Sequence, residues 1–425
     1  MDHARKAQEI IVIGAGLGGL ASAALLARAG ARVRVLESAH RAGGRARSRE
    51  SEGFTLNVGP HALFRRGPAE QVLRDLGVPL QGKVVGGTGA YALRDDRLHE
   101  LPFAPLSMLR TDLLSAAEKL ELLRVISGLG EKRARAVSGL TVNQWLDQAV
   151  TSPRTRAVLA MLVRLSCYAH AHDVLGADVA VRQVAQVARH SVMYLDGGWQ
   201  SLIEPLQAQL GAAVELGVGV HQIELHAGKV SAVVTSDGRR LQAGHVIAAL
   251  DLPALARLLP GDALIERWSR AAVPLRAACV DLGVRGLPHP ERRSVQALDA
   301  PLYFSNHSAY ARLAPEGCQL LGLVHYLAPG EDGRASEPLL RAFVERIQPG
   351  VWERAVVKRF LPNLIVHNDL PSPERARRVH PDIAGLSLVS DISSPKFMLA
   401  DAVLDSARAA VQDVLGRVLP AERAA

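Results

Sequence analysis

Gly14, Gly16 and Gly19 form a Gly-x-Gly-x-x-Gly motif between two segments of different character. The run at residues 9–13, which is rich in β-branched residues, predicts a short strand before the motif, and the alanine- and leucine-rich stretch at 20–29 predicts a helix after it. In such a turn the first glycine permits the sharp bend, the second lets a pyrophosphate approach the backbone, and the third lets the helix pack against the strand. The start of a helix also offers free N–H groups and a partial positive charge to an anion. The motif therefore predicts a dinucleotide-binding turn.

An acidic residue follows where such a turn requires one. Residues 31–36 predict a second strand, which ends at Glu37, 23 residues after Gly14. A carboxylate there accepts hydrogen bonds from ribose hydroxyls and disfavours a phosphorylated ribose, so NADP is not expected. The glycines at 86–89 precede a predicted hairpin instead of a helix, and we interpret them as a turn. With one dinucleotide motif in the chain, the sequence predicts that electrons come from the substrate itself.

The composition favours a globular chain of two domains. Of the 425 residues, 48% are hydrophobic and 22% charged, which excludes disorder and coiled coil as descriptions of the whole chain. No apolar run reaches the roughly 18–20 residues of a membrane-spanning helix. The scattered cysteines, Cys167, Cys279 and Cys318, predict neither disulfides nor a thiolate metal site and favour the cytoplasm. The net charge of +8 comes mainly from arginines without interleaved aromatic residues, so no nucleic acid is expected, whereas peripheral contact with an anionic membrane is compatible with it.

An R-x-G-G-R motif follows the acid, and an N-V-G-P-H turn follows that motif. In this order the segments resemble the N-terminal region of the superfamily of flavin amine oxidases, phytoene desaturases and protoporphyrinogen oxidases. The resemblance implies that Gly43, Gly44 and Arg45 lie along the pyrophosphate of FAD and that Gly59 and Pro60 pass near the flavin ring. Paired glycines give a phosphate access to backbone N–H groups, and the guanidinium group supplies a forked donor.

Two later segments resemble the same superfamily. Val220, in a predicted strand, corresponds to the residue whose backbone meets the adenine, and Asp391, at the end of another strand, corresponds to the acid that binds the ribityl or phosphate region. Met398, at the start of the last predicted helix, is assigned to the cofactor by the same resemblance. Ser390 replaces the glycine that the superfamily usually has before the acid. In the altered segment that follows, Lys396 either adds positive charge beside the flavin or is a solvent-facing loop residue.

These features predict an α/β protein. A glutathione-reductase-like, FAD-binding Rossmann domain is assembled from discontinuous segments, beside a mixed α+β substrate domain with a helical subdomain. The predicted segments are 1–70, 196–258 and 381–425 for the FAD-binding domain, and 71–195 and 259–380 for the substrate domain, with the helical region at 111–190. Capping boxes at Ser115–Glu118 and Thr141–Gln144 mark helix starts in the helical region. An Asp-Gly pair at 237–238 predicts a tight turn between strands at 229–235 and 245–250.

The expected activity is that of an FAD-dependent oxidase or desaturase. A substrate C–H bond delivers a hydride to flavin N5, and oxygen or a quinone-like acceptor reoxidises the flavin. FAD is expected to be non-covalent, because the last cysteine, Cys318, precedes the C-terminal segment to which some amine oxidases of the superfamily attach it. His61 and Lys396 are the catalytic candidates, and a structural role fits either of them equally. No metal site is expected, since His170 and His172 stand two residues apart and do not share a helix face.

The substrate class is indicated only by composition. Aromatic residues make up 4% of the chain, which offers little material for a cage around an amine. The leucine-, valine- and alanine-rich helical region favours an apolar substrate, such as a polyene or another lipid. A flavin amine oxidase is the alternative, and a non-catalytic FAD-binding scaffold or partner subunit is the alternative of another class. The protein is expected in the cytoplasm, with association with a membrane left open.

Overall fold

The computed structural model describes residues 9–373 and 382–418, so the parts of the predicted domains at 1–8, 374–381 and 419–425 lie outside the described residues. The strands, in chain order, are β1 (Ile10–Ile13), β2 (Val33–Glu37), β3 (Ser48–Ser51), β4 (Phe54–Asn57), β5 (Leu63–Phe64), β6 (Gly82–Val84), β7 (Ala90–Arg94), β8 (Arg97–Glu100), β9 (Val192–Leu195), β10 (Val214–Leu216), β11 (Val220–His226), β12 (Lys229–Thr235), β13 (Arg240–Gln242), β14 (His245–Ala248), β15 (Leu275–Arg285), β16 (Ser294–Ala297), β17 (Leu302–Asn306), β18 (Cys318–Tyr326), β19 (Ala355–His367) and β20 (Leu386–Leu388). The helices are α1 (Leu17–Arg28), α2 (Pro68–Asp75), α3 (Pro105–Arg110), α4 (Ala116–Ser127), α5 (Glu131–Ala136), α6 (Val142–Ala149), α7 (Pro153–Cys167), α8 (Ala177–His190), α9 (Gln200–Leu210), α10 (Leu252–Leu258), α11 (Ala263–Ala271), α12 (Ser336–Ile347) and α13 (Leu399–Val418).

A parallel sheet has the strand order β10-β2-β1-β14-β20. β1 consists of four buried apolar residues whose side chains alternate between the two faces of the sheet. Ile10 and Val12 belong to the apolar cluster of α1, α9 and α13, whereas Ile11 and Ile13 belong to that of α10 and α11. Both faces of the sheet are thus covered, which explains the continuous apolar run of β1. All five strands come from the segments predicted for the FAD-binding domain.

A second, seven-stranded sheet has the order β19-β15-β18-β17-β16-β7-β8. Neighbouring strands are antiparallel except β16 and β7, which run parallel, so the sheet is mixed. Helix α12 packs on this sheet through Leu340, Phe343 and Val344. The predicted hairpin is confirmed as β7 and β8. Asp95 and Asp96 between them have φ values of 47° and 61°, as a two-residue turn that matches the strand twist requires.

Helices α3 to α8 pack around one apolar cluster and form the helical region. The predicted capping boxes are confirmed. Ser115 and Thr141 accept hydrogen bonds from backbone N–H groups at the starts of α4 and α6, and the side chains of Glu118 and Gln144 accept from the N–H groups of those two capping residues. Within the described part of the chain, no helix combines the length and the hydropathy needed to cross a membrane.

The predicted turn at 237–238 connects a different pair of strands. It joins β12 to β13, and both lie in a three-stranded sheet with β11. The strand predicted at 245–250 is β14, which pairs with β1 and β20 in the parallel sheet. Strand β13 consists of only three residues, Arg-Leu-Gln, which are too few to show an alternating pattern. The sequence pattern therefore does not predict this strand.

Candidate functional site

A cavity of about 770 Å³ opens at the carboxyl edge of the parallel sheet. Its wall includes the residues that follow β1, β2, β14 and β20, together with the first residues of α1. Loops at this edge of a parallel sheet are the usual place for a nucleotide. The volume falls in the range of ligand and cofactor sites, which is about 300–1,000 Å³. The cavity is therefore the candidate functional site.

Gly14, Gly16 and Gly19 all line the cavity, but they meet their surroundings differently. Gly14 has a φ of 100°, and a Cβ atom on it would lie 2.7 Å from the Ala249 carbonyl oxygen. A Cβ atom on Gly19 would lie 1.9 Å from the Gly14 carbonyl oxygen, so the helix could not approach the strand. Gly16 is extended, with φ −71° and ψ 176°. A Cβ atom built on it would have no described atom within 4 Å, apart from its chain neighbours and its own helix. Of the three glycines, Gly16 thus leaves the open space that a ligand needs to reach the backbone.

The R-x-G-G-R loop packs directly on this turn. The Gly43 N–H donates to the Ala15 carbonyl oxygen at 2.8 Å, and Gly43 forms a parallel bridge with Gly16. The φ values of Gly43 and Gly44, 121° and 52°, lie in the region that favours glycine. A Cβ atom on Gly44 would lie 3.4 Å from the Gly16 Cα atom. The two glycine motifs therefore share one wall of the cavity.

Asp391, just after β20, is brought to the same wall from the other end of the chain. Its side chain is 1% exposed and accepts hydrogen bonds from Arg45 Nη1 at 3.0 Å and from Asn368 Nδ2 at 2.9 Å. Burial by itself would raise the pKa of the carboxyl, but His367, Arg45 and Asn368 together lower it to about 2. Asp391 is therefore an anion that holds the second arginine of the R-x-G-G-R motif against the C-terminal strand.

Glu37, the last residue of β2, holds the glycine turn through both carboxylate oxygens. Oε2 accepts a hydrogen bond from the Ala15 N–H at 2.7 Å, and Oε1 accepts one from the Ala39 N–H at 2.9 Å. A carboxylate offers about four acceptor positions, so acceptor capacity remains for a ligand. The Val218 N–H donates to the Glu37 carbonyl oxygen at 2.8 Å, which brings Val220 to the same end of the cavity.

His61 and Trp199 line another part of the wall, with ring centroids 4.8 Å apart. His61 Nδ1 lies 2.9 Å from the Gly59 carbonyl oxygen, which can only accept, so we assign the ring proton to Nδ1. Desolvation in the cavity wall, together with the charges of Arg45 and Arg359, lowers the pKa of His61 to about 4. His61 is therefore a neutral imidazole at physiological pH.

Tyr168 and Cys279 contribute an uncharged surface to the cavity wall. Tyr168 has a φ of 51° at the end of α7, and its ring meets the Tyr326 ring edge-on at 5.8 Å. Burial raises the pKa of the Tyr168 phenol and of the Cys279 thiol well above their ordinary values. Both groups therefore keep their protons and offer neither a thiolate nor a phenolate to a ligand.

Most of the residues predicted for the site line the cavity. They are Gly14, Gly16, Gly19, Glu37, Gly43, Gly44, Arg45, Pro60, His61, Val220 and Asp391. Gly59 does not line the cavity, although its carbonyl oxygen accepts a hydrogen bond from the His61 imidazole. Met398 is fully buried in the apolar cluster of the helical region, and the next residues, Leu399 and Ala400, line the cavity in its place. Lys396 is exposed to solvent and lies outside the wall.

The wall also contains residues that the sequence pattern does not indicate as site residues. Trp199, Tyr168 and Asn368 come from three distant segments and belong to no motif that predicts ligand contact. Gly197 and Gly198, with φ values of 70° and 71°, mark a backbone bend directly before Trp199. That glycine pair is the signal that could have indicated the tryptophan, because a bend of this kind brings a backbone close to its neighbours.

A buried carboxylate lies in the first turn of α13, next to the residues of that helix that line the cavity. Asp401 is 2% exposed and accepts hydrogen bonds from the Ala69 N–H at 2.9 Å and from Gln186 Nε2 at 2.8 Å, so it joins α13 to α2 and α8. Burial, together with the charges of Asp405 and Glu70, raises the pKa of Asp401 to about 6. The folded protein therefore carries the cost of an ionised, buried Asp401 at higher pH.

Asp401→Asn is expected to stabilise the protein at pH 8 by about 2 kcal/mol, because the amide removes an ionisation cost of about 3 kcal/mol and loses roughly one hydrogen bond. The folded-state pKa of about 6 lies above the ordinary value of 3.8, so the cost is complete above the folded pKa, decreases as the pH falls below it, and is gone only below the ordinary value. The stabilisation should therefore shrink on acidification. Chemical denaturation of both proteins between about pH 8 and pH 5 measures the difference, and a gain that does not vary with pH would contradict this account.

The glycine turn, the sheet edge and the cavity together are the features of a parallel-sheet protein with a ligand cavity at the carboxyl ends of its strands. Residues 17–344 match the sequence model of the family described as flavin containing amine oxidoreductase, and the chain belongs to that family. The family is defined by a flavin cofactor, which the cavity at the glycine turn is suited to hold.

Relatives within the family carry out different reactions. A candidate flavin-containing monoamine oxidase of Mycobacterium tuberculosis is 27% identical over 268 residues, which cover 57% of this chain and 56% of that protein. The hydroxyneurosporene desaturase of Cereibacter sphaeroides is 26% identical over 293 residues, which cover 60% and 58% of the two chains. The chain thus spans a little over half the length of these curated relatives. The crystal structure of an oxidoreductase from Methanosarcina mazei has a similar fold, with a TM-score of 0.76 at 19% identity over 95% of this chain and 100% of that one.

Proposed function

We propose that this chain is an FAD-dependent oxidoreductase that takes a hydride from a C–H bond of a small apolar molecule. One observation carries the proposal: the open space at Gly16 belongs to the same cavity as the Glu37 carboxylate and the rings of Trp199 and Tyr168. A cavity with this wall suits an elongated ligand that has a ribose and a diphosphate in one part and a flat ring system in another.

The cavity wall at the end of β2 supports the choice of FAD over a smaller flavin as the cofactor. Glu37 has acceptor capacity for the ribose hydroxyls of an adenosine, and Arg45 with the neighbouring glycine N–H groups suits a diphosphate. Non-covalent binding is supported by Cys279, the cysteine of the cavity wall, because its raised thiol pKa makes it a poor nucleophile. The proposal includes the predicted division into a glutathione-reductase-like Rossmann domain and a mixed α+β substrate domain.

FAD, when bound, supplies a two-electron acceptor for the hydride. The residues of the chain position the reactants and exclude water. Asp391 fixes Arg45 in the wall, and His61 is a neutral ring whose Nδ1–H is committed to a backbone carbonyl. Tyr168 and Cys279 stay protonated, so neither contributes an ionised base to the cavity. Transfer of a hydride from carbon depends on alignment more than on a protein base, and such a wall is therefore compatible with the reaction.

An apolar, uncharged substrate is supported by the acidic residues of the wall. These are Glu37, Asp251 and Asp391, and each of them already accepts hydrogen bonds from the chain. Asp251 caps α10, and the other two hold the glycine turn and the R-x-G-G-R loop. A cationic amine that leaves water needs a carboxylate or an aromatic cage to replace its hydration. Asp251 and Asp391 are engaged by the chain, and the remaining acceptor capacity of Glu37 is assigned to the adenosine ribose, so the described acids of the wall offer no further carboxylate to an amine.

An amine is the second candidate substrate, because two aromatic side chains, Trp199 and Tyr168, do line the cavity. Rings of this kind can hold a cation without a carboxylate. A non-catalytic FAD-binding scaffold is the candidate of another class. The three candidates differ in which molecules reduce the bound flavin.

Anaerobic mixing of the holoprotein with neutral polyenes and with mono- and polyamines tests the proposal. The expected result is bleaching of the flavin absorbance by a polyene or a related apolar molecule and not by the amines. Subsequent addition of oxygen or a quinone should restore the absorbance and identifies the acceptor. Free FAD under the same conditions is the control for direct chemistry. Bleaching by amines alone would replace the apolar substrate with an amine, and a flavin that no compound bleaches would favour the scaffold.

A further inference from the structure

Three buried polar side chains lie between α7 and the seven-stranded sheet without the hydrogen bonds that burial normally requires. Arg164 is 6% exposed, and its Nε has no hydrogen-bond partner among the described residues. The Tyr326 hydroxyl and both amide atoms of Gln296 are also buried and also lack such a partner. We name these three side chains the polar cluster. Because buried polar groups are nearly always paired, unpaired donors and acceptors in one place indicate a site for a polar group of a ligand.

Two members of the polar cluster belong to the sheet face that lines the cavity. Gln296 lies opposite Tyr303 on the neighbouring strand, and Tyr303 lies opposite Val324. Val324 in turn lies opposite Cys279, which is part of the cavity wall. Residues directly opposite each other share a face of a sheet, and so do residues two apart on one strand, such as Val324 and Tyr326. Gln296, Tyr326 and Cys279 therefore lie on the same face.

Helix α7 brings the third member of the polar cluster to this face. Arg164 Nη2 donates a hydrogen bond at 3.0 Å to the carbonyl oxygen of Ala297, the residue after Gln296. Tyr168, one turn after Arg164, lines the cavity, and its ring meets the Tyr326 ring edge-on at 5.8 Å. The polar cluster therefore adjoins the cavity at Tyr168.

The Arg164 guanidinium carries a charge that no described carboxylate balances. Within the described part of the chain it forms no ion pair, and the ionisable group beside it is the Tyr326 phenol. Burial lowers the pKa of Arg164, yet a guanidinium keeps its proton in proteins. His170 and His172 add no charge, because burial and the nearby guanidinium lower the pKa of both imidazoles. A buried cation with an unpaired N–H group suits an oxygen that accepts hydrogen bonds.

We propose that the polar cluster binds an oxygen group, a carboxylate or a carbonyl, at one end of the substrate. Arginine, tyrosine and glutamine side chains can all donate hydrogen bonds to such an oxygen. The apolar part of the molecule then lies against Tyr168 and Cys279 in the cavity. The site rests on the proposed function, the oxidation of an apolar molecule, and specifies the end group of that molecule. The wall carboxylates that disfavour a cationic amine do not disfavour an acceptor oxygen bound by an arginine.

Access to the polar cluster depends on Tyr168. The three side chains of the cluster lie just outside the cavity wall, and the half-buried Tyr168 ring lies between them and the cavity. Side chains at binding surfaces commonly change rotamer when a ligand binds. Entry of the oxygen group therefore requires the Tyr168 ring to turn aside.

Equilibrium dialysis of the holoprotein against radiolabelled dodecane, dodecanoate and the methyl ketone of the same chain length tests the site. We expect dodecanoate or the ketone to bind at least about tenfold more tightly than dodecane, and the tighter of the two identifies the oxygen group. Arg164→Met should remove this preference and weaken binding of that probe by about ten- to a hundredfold. Tyr326→Phe should weaken it by about three- to tenfold, and dodecane should bind to all three proteins alike.

Arg292→Met is the matched control for the arginine substitution. Arg292 also donates to a backbone carbonyl oxygen, that of Ile347 at 2.7 Å, but it lies outside the cavity wall. This variant should keep the wild-type preference. Flavin content and melting temperature verify that the variants are folded. Without a probe, Arg164→Met and Tyr326→Phe should melt no lower than the wild type, because each removes a buried N–H or O–H group that has no described partner.

Equal affinity of the wild type for all three probes overturns the assignment of the polar cluster to a substrate end group. A preference that survives in Arg164→Met overturns it as well, and so does one that is lost equally in Arg292→Met. Reduction of the flavin is measured separately, by anaerobic mixing with polyenes and amines. A wild type that prefers an oxygenated probe, with a flavin that no compound bleaches, would contradict the proposed oxidation and still support the end-group site.

Discussion

Replacing Gly16 with alanine is expected to give a folded protein that has lost its flavin. The extended backbone of Gly16 suits alanine, and no described atom beyond its chain neighbours and its own helix would meet the added methyl group, so folding should be unaffected. The methyl group would instead occupy the space beside the backbone where we place the diphosphate. Such overpacking costs about 3 kcal/mol, or about a hundredfold in Kd. Flavin occupancy after purification and fluorescence titration of the apoprotein with FAD measure the effect.

Gly86→Ala is the matched control for this substitution. Gly86 also has open space at its Cβ position and no positive φ, but it lies on an exposed loop outside the cavity wall. This variant should retain flavin as the wild type does. Normal flavin occupancy in Gly16→Ala would remove the glycine turn from the cofactor site and, with it, the main support for the proposed function.

Replacing Asp391 with alanine is expected to destabilise the protein and to release the flavin. The carboxylate is almost completely buried and accepts hydrogen bonds from Arg45 and Asn368, so its removal leaves their N–H groups without this acceptor. Because the Arg45 side chain is 42% exposed, water replaces part of the lost contact, and we expect a loss of about 1–3 kcal/mol from the donors that Asp391 leaves unsatisfied. The loss should appear as a lower denaturation midpoint of the apoprotein and as flavin in the flow-through during gel filtration.

Asp237→Ala controls for the loss of any arginine-paired carboxylate. Asp237 pairs with Arg239 on an exposed turn, so its removal should leave the denaturation midpoint and the flavin content nearly unchanged. If Asp391→Ala behaved like this surface variant, the ion pair with Arg45 would have no structural role in closing the cavity, and the assignment of Asp391 to the cofactor would fall with it.

The two glycine motifs, the capping boxes and the β7–β8 hairpin were predictable because each depends on a few consecutive residues. Positive φ values at Gly43 and Gly44, or a Ser115–Glu118 capping box, follow from backbone conformations that particular residue types favour. Wrong or incomplete predictions arose where partners are distant. The strand at 245–250 joins β1 and not the nearby hairpin, since a strand pairs with whichever edge the whole fold brings to it.

Met398 shows how a shift of one residue at a helix start changes the outcome. The resemblance predicts it at the cofactor, but the side chain is buried in the cluster of the helical region, and Leu399 and Ala400 line the cavity instead. Met398 precedes α13, and Leu399, the first residue of the helix, has a φ of 56°, so a motif aligned to the helix start does not identify the residue that faces the ligand. Likewise, the apolar pattern of α4 does not reveal that Leu120 and Leu123 lie on the solvent side.

The order of residues alone predicts a dinucleotide site at Gly14–Gly19, because the turn, its helix and the acid Glu37 lie within one short segment. The fold was needed to join Arg45 to Asp391, which are 346 positions apart, and to bring Trp199 and Tyr168 into the same cavity. Contacts between distant segments depend on how sheets and helices pack around a common core, and no local pattern records that packing.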